Sequence, residues 1–112
     1  MRPHLTTHVL DAATGSPAPG VAVALATASG TPVAEATTDA DGRAGLGPEQ
    51  LDAGVYALTF ATGAYFAAQG VDTFYPSVTV TFSVEVADDG TSRHYHVPLL
   101  LSPFAYSTYR GS

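Results

Sequence analysis

His94 and His96 stand two apart in the stretch HYHVPLLLS, and a third imidazole, His8, lies in LTTHVLD near the other end of the chain. If both stretches are extended, alternation puts His94 and His96 on one face with Pro98 and Leu100, and His8 on one face with Thr6 and Leu10. Two residues along a strand is about 7 Å, close enough for two rings to serve one site. Imidazoles titrate near neutral pH, so such a group suits taking a proton from water and returning it to a leaving group. The same three rings also suit zinc, with His-x-His on one strand, a third histidine from another and an open fourth position. No carboxylate in these runs offers itself as a partner behind the rings. Taken singly, each histidine reads equally well as a surface or interface side chain with one satisfied hydrogen bond.

Only four arginines and no lysine carry the cationic work of the chain. Arg43 follows the turn TTDADG and Arg110 lies in the C-terminal YRGS; a guanidinium at either place can pair with a planar anion through two parallel hydrogen bonds. Arg2 and Arg93 read as solubilising charges, and on composition alone Arg43 does too. A phosphate-cradling glycine loop, a serine at a nucleophile elbow and a paired-carboxylate motif are all missing from the sequence.

The elements that must position these residues are strands. Short runs alternate in polarity and are separated by Gly, Pro and Asp clusters, the pattern of an all-β sandwich or barrel. In SVTVTFSVEV, Ser77 to Val86, the residues Val78, Val80, Phe82, Val84 and Val86 share one face. Further strands are expected over Leu5–Leu10, Val21–Ala28, Pro32–Thr37, Val55–Ala61, His94–Leu101 and Phe104–Tyr109. Seven strands is a sandwich-sized set. Loops are expected at Thr14–Gly20, Asp39–Gly42 and Asp88–Ser92, where Asp and Gly tolerate positive φ and Pro fixes it. Gly63–Gly70 is the one expected helix, Ala-rich and closed by a glycine.

Composition narrows the function further. At 112 residues the chain fits one domain, and with 46% apolar residues it has the material for a core. Ten acidic residues against four basic ones give a net charge of -6, which leaves no basic patch for nucleic acid. There is no cysteine, hence neither disulfide nor thiolate chemistry. The N-terminal stretch lacks the apolar core of a secretory signal and no run is long and apolar enough to span a bilayer, so a soluble cytoplasmic protein without a membrane partner is expected. The low charged fraction of 12% leaves much surface to Ala, Val, Thr and Tyr, which favours oligomer interfaces.

Three stretches closely resemble the 5-hydroxyisourate hydrolases, the transthyretin-related proteins of purine catabolism: LTTHVLDAATGSPAPGVAVAL at Leu5–Leu25, TTDADGR at Thr37–Arg43, and HYHVPLLLSPFAYSTYRGS at His94–Ser112. VYALTFATGAYFAAQG and FYPSVTVTFSVEV are similar to the family's middle strands and short helix, so the likeness covers nearly the whole chain. The resemblance implies a single transthyretin-like domain over 1–112, a sandwich of two four-stranded sheets with one short helix. The eighth strand would follow Asp41. It also implies a homotetramer, a dimer of dimers whose sites open into a central channel. The matching positions are His8, Arg43, His96 and Ser112 as catalytic residues, with Tyr109, Arg110 and Gly111 joining His8 and Arg43 in binding substrate. Asp39 and Ala40 stand where the family pattern has an Asn-containing turn.

The implied reaction is hydrolytic ring opening of 5-hydroxyisourate to 2-oxo-4-hydroxy-4-carboxy-5-ureidoimidazoline, with no cofactor and no metal. Three rivals share parts of the pattern: a carrier of small aromatic ligands on the same fold, a zinc hydrolase using the strand histidines, and a purely structural sandwich. YRGS separates the first from the hydrolases, because the hormone-carrying transthyretins have the LLSP and YST segments but not that ending. Without the resemblance, the same four residues read as a fraying chain end.

Overall fold

The computed structural model describes residues 2–111. In chain order its elements are β1 (Leu5–Asp11), β2 (Ser16–Pro17), β3 (Ala22–Thr27), β4 (Pro32–Thr37), β5 (Arg43–Leu46), β6 (Gly54–Phe60), α1 (Thr62–Ala67), β7 (Val78–Val84), β8 (Tyr95–Ser102) and β9 (Ala105–Thr108). The alternating runs become strands within a residue or two of where their polarity changes. His94 is the exception that matters, since β8 begins one residue after it.

Two sheets face each other. One runs β2-β1-β8-β9 with β5 also paired to β1, and the other runs β4-β3-β6-β7. The first has five strands where four were expected, because β2 and β5 divide one edge of β1 between them. β5 takes Leu5 to His8, and β2 takes Leu10 and Asp11. Val9 lies at the junction, its N–H donating to the Gly42 carbonyl at 2.7 Å and its carbonyl accepting from Ala18 N–H at 2.9 Å. Gly42 has φ +75°, and a Cβ there would run into the Val9 carbonyl oxygen. Only glycine lets the chain pass this close. The short β2 falls inside the Thr14–Gly20 stretch expected to be all loop; two residues of pairing leave no legible alternation.

On β1 the odd-numbered residues Leu5, Thr7, Val9 and Asp11 are buried, while Thr6, His8 and Leu10 are half-buried on the other face. β8 does the same, sending Tyr95, Val97, Leu99 and Leu101 inward. The core forms where Leu5, Val9, Leu99 and Leu101 meet Leu25, Leu58 and Phe60 of the second sheet, all at most 1% exposed. Helix α1 packs Phe66 into that core. It is docked by the Tyr65 hydroxyl, which donates to Asp11 Oδ2 at 2.8 Å, while Asp11 Oδ1 accepts from the N–H groups of Ala13 and Thr14. The helix starts one residue earlier than the sequence pattern suggests, and Gly70 at φ +69° turns the chain away after it.

His4 is buried at 4% exposure just ahead of β1. Leu51 N–H donates to its Nδ1 at 2.8 Å, so Nε2 carries the proton and donates to the Arg93 carbonyl at 2.9 Å. This imidazole is fully used in tying the two ends of the chain together.

Candidate active site

Pairing around β1 assembles the polar face. In the parallel β1–β8 pair Thr6 lies opposite His96, and in the antiparallel β1–β5 pair His8 lies opposite Arg43. Residues from near both ends of the sequence and from the middle therefore meet over one strand. A cleft of about 470 Å³ opens here, and Arg2, Thr6, Asp39, Arg43, Ala44 and His96 contribute to its lining. Arg2, read from the sequence as a solubilising charge, is thus part of the cleft wall.

The turn before β5 aims Arg43. The Asp39 carboxylate accepts from the N–H of Asp41 at 2.9 Å and from that of Arg43 at 3.0 Å, while Asp39 N–H donates to the Arg43 carbonyl at 2.9 Å. These N–H bonds to the anion, with Arg43's the larger effect, hold the Asp39 carboxyl below its ordinary value. An asparagine oxygen would accept the same bonds, so the aspartate preserves the turn.

His96 Nδ1 lies 2.8 Å from Thr6 Oγ1, and His94 Nε2 lies 2.8 Å from the same oxygen. Burial, followed by electrostatic effects of Arg43 and then His8, holds the His96 imidazole below the ordinary value of 6.5, against a pull upward from the Thr6 backbone carbonyl. His94 is lowered as well, first by burial and then by Arg2, His96 and His4. At neutral pH both rings are driven toward the neutral form, in which one nitrogen keeps a free lone pair.

His8 is turned differently. Its Nε2 donates to the Asp41 carbonyl at 2.9 Å, and it stands beside the cleft lining while influencing His96 through its charge. The three histidines, two of them in strands and His94 just ahead of β8, therefore do not converge on a point: a hydroxyl separates two of them and a carbonyl holds the third. Among the described residues, no three His, Asp or Glu side chains gather as metal ligands.

The segment after β9 is anchored rather than loose. Gly111 N–H donates to the His96 carbonyl at 2.8 Å in an isolated antiparallel bridge. The glycine packs closely against the edge of the imidazole, since a Cβ added to it would stand 2.5 Å from His96 Cδ2. Arg110 points the other way, its guanidinium carbon 4.4 Å from the centre of the Tyr95 ring, on the far side of the sheet from His96. Within this chain it does not reach the cleft, and Tyr109 is 57% exposed without lining it. The expected Ser112 falls outside the described residues. Thr6 is the neighbour that reasoning from the sequence passed over. Its signal was there, in the shared face of Thr6 and His8.

Two face-to-face sheets whose outer face carries histidines and an arginine around a central strand define a sandwich with a polar cleft. A model described as the HIUase/Transthyretin family matches residues 5–111, and the chain belongs to that family. The 5-hydroxyisourate hydrolase of Caulobacter vibrioides is 46% identical over 112 residues, an alignment spanning 96% of this chain and 97% of that one. Among solved structures, Klebsiella pneumoniae 5-hydroxyisourate hydrolase superposes with a TM-score of 0.86 at 39% identity, covering 96% of this chain and 92% of that one. Sea bream transthyretin in complex with thyroxine reaches 0.84 at 38% identity, covering 96% and 93%.

Proposed function

We propose that this chain, acting as one domain over residues 1–112, is a hydrolase that opens the ring of 5-hydroxyisourate. The observation that carries the reading is a single cleft in which an imidazole biased toward its neutral form faces the same space as a guanidinium. In this mechanism His96 takes a proton from water as the oxygen attacks the cyclic amide carbonyl. Arg43 binds the polar heterocycle and stabilises the negative charge that develops on the carbonyl oxygen. Collapse breaks the C–N bond, and the proton held on His96 passes to the leaving nitrogen, giving a carboxylate and a ureido group. His8, across from Arg43 in the β1–β5 pair, adds a polar contact beside it, and Gly111, packed against His96, forms the wall behind the base. The route uses no cofactor.

Fold alone does not separate hydrolase from carrier, since the solved relatives include both a named hydrolase and a transthyretin holding thyroxine. The lining does favour one of them. A carrier of an aromatic ligand gains from an apolar channel, whereas this cleft exposes Arg2, Arg43 and His96. We further infer a homotetramer assembled as a dimer of dimers. Supporting it, all four residues of β9 are exposed, Tyr106 among them at 42%, and Phe104 just ahead of the strand is 68% exposed. Sedimentation as a stable monomer would overturn the assembly. Among the described residues no helix is long and apolar enough to cross a membrane. The test of function is direct: catalytic amounts of the protein are added to freshly generated 5-hydroxyisourate and its absorbance is followed. Accelerated decay, unaffected by a chelator, is expected; decay at the spontaneous rate refutes the reading.

A further inference from the structure

We propose that the Thr6 hydroxyl is a positioning group that couples the tautomers of His94 and His96 and so keeps the Nε2 lone pair of His96 free for the reaction. The inference rests on the hydrolase reading and extends it to two residues that need not touch substrate.

A hydroxyl has one proton to give, yet Thr6 Oγ1 lies 2.8 Å from both His94 Nε2 and His96 Nδ1. The two nitrogens cannot both accept from it, so at least one must donate, and if one accepts the other must donate. If Thr6 donates to His96, then His96 Nδ1 is bare, its proton sits on Nε2, and no basic nitrogen is left for water. In the reverse arrangement His96 Nδ1–H donates to Thr6 and Thr6 donates to His94 Nε2. His96 Nε2 is then bare.

The surroundings select the second arrangement. The Pro3 carbonyl, which only accepts, acts on the His94 ring and pulls its pKa upward, while Thr6 engages its Nε2. With Nε2 engaged by Thr6, the Pro3 carbonyl favours the ring's proton on Nδ1, and His94 Nε2 then accepts from the hydroxyl. On the other side the Thr6 backbone carbonyl, again only an acceptor, favours a proton on the near side of His96. Both carbonyls thus bias the chain Pro3 O, His94, Thr6, His96 in one direction. Arg2, Arg43, His8 and His4 act on the two rings in the sense that favours neutral imidazoles, while the Asp39 carboxylate in the same lining is taken up by the N–H groups of Asp41 and Arg43. Threonine is suited to the position, because its methyl group limits the rotation of a hydroxyl already held between two rings.

The test combines Thr6→Val, which keeps the shape and removes the hydroxyl, Thr6→Ser, which keeps the hydroxyl, and His94→Phe, which leaves Thr6 free to donate to His96. Ring 15N NMR of the histidines reads the tautomers without substrate. The wild type and Thr6→Ser are expected to show His96 protonated at Nδ1, whereas Thr6→Val and His94→Phe shift it toward the Nε2–H form. With 5-hydroxyisourate, kcat should fall roughly tenfold in Thr6→Val and in His94→Phe with KM little changed, about the worth of one neutral hydrogen bond. Thr6→Ser should stay within roughly twofold of the wild type, inside the range expected when that bond is kept. An Nε2–H tautomer at His96 in the wild type, or full turnover in Thr6→Val, overturns the proposal. If the wild type does not open the ring at all, the hydrolase reading fails, while the tautomer result still decides the coupling.

Discussion

Gly111→Ala is the smallest change that probes how the C-terminal segment serves the cleft. The added Cβ would stand 2.5 Å from His96 Cδ2, 3.2 Å from Cγ and 3.3 Å from the ring's own Cβ. Carbon atoms rest at about 3.5–4.0 Å, so the ring edge and the segment must separate by roughly 1 Å. Two responses are open. The imidazole can swing away, which stretches the 2.8 Å bond to Thr6, or the segment can lift, which breaks the Gly111 N–H bond to the His96 carbonyl. Each sacrifices one hydrogen bond, about 1 kcal/mol of stability. That corresponds to a fall in Tm of about 4–8 °C for a domain near this size, with the fold kept. Catalysis should suffer far more, since a misplacement of 1 Å can cost about 10²-fold. The assay is steady-state ring opening beside a thermal melt, with the His96 ring signals monitored by NMR. Wild-type turnover in Gly111→Ala, with His96 undisturbed, would refute the packing argument.

Other substitutions separate the roles. His96→Asn should lower kcat by about 10²–10⁴-fold, the usual contribution of a positioned general base, with an unchanged circular dichroism spectrum. A base works only when unprotonated, and His96 is held below 6.5, so the acid limb of the wild-type rate profile should lie below that pH. Arg43→Gln removes a charge that lowers His96 and should move that limb upward while weakening substrate binding; a limb that stays put or moves down would contradict the electrostatics. Tyr65→Phe deletes the donor to the buried Asp11 carboxylate and should cost about 1.5–3 kcal/mol in denaturant unfolding, the range for hydrogen bonds to charged groups. Its turnover should remain that of the wild type, because the helix contact lies away from the cleft.

Most of the fold was legible because a half-buried strand writes its burial into alternate letters. SVTVTFSVEV shows this well: Val78 and Val84 are buried, Val80 and Phe82 half-buried, and Thr79, Thr81 and Ser83 exposed. Ser16–Pro17 and Arg43–Leu46 were harder because two to four residues carry no period. β5 is fixed instead by the turn at Asp39 and the close approach at Gly42. For the site, the sequence supplied the residue types but not their pairing. That His8 lies across from Arg43, and Thr6 across from His96, is a matter of register between distant strands. Arg110 shows the reverse failure. It was grouped with its neighbours in YRGS, yet alternation through an extended segment sends it to the face opposite Gly111, where the Tyr95 ring receives it.

The parallel pairing of β1 with β8 has a consequence for how the protein comes to be active. Thr6 and His96 are 90 residues apart in the chain, and the bond between them closes nearly the whole of it. Closing a loop of that length costs about 2 kcal/mol more entropy than closing a ten-residue hairpin. The second sheet, built from near neighbours in sequence, can form against a smaller penalty. Proton chemistry is thus absent from any partly folded form and arrives only with the last and most non-local closure. In a refolding experiment, recovery of activity should trail recovery of strand signal, and activity should be the first property lost when the seam between the two ends of the chain opens.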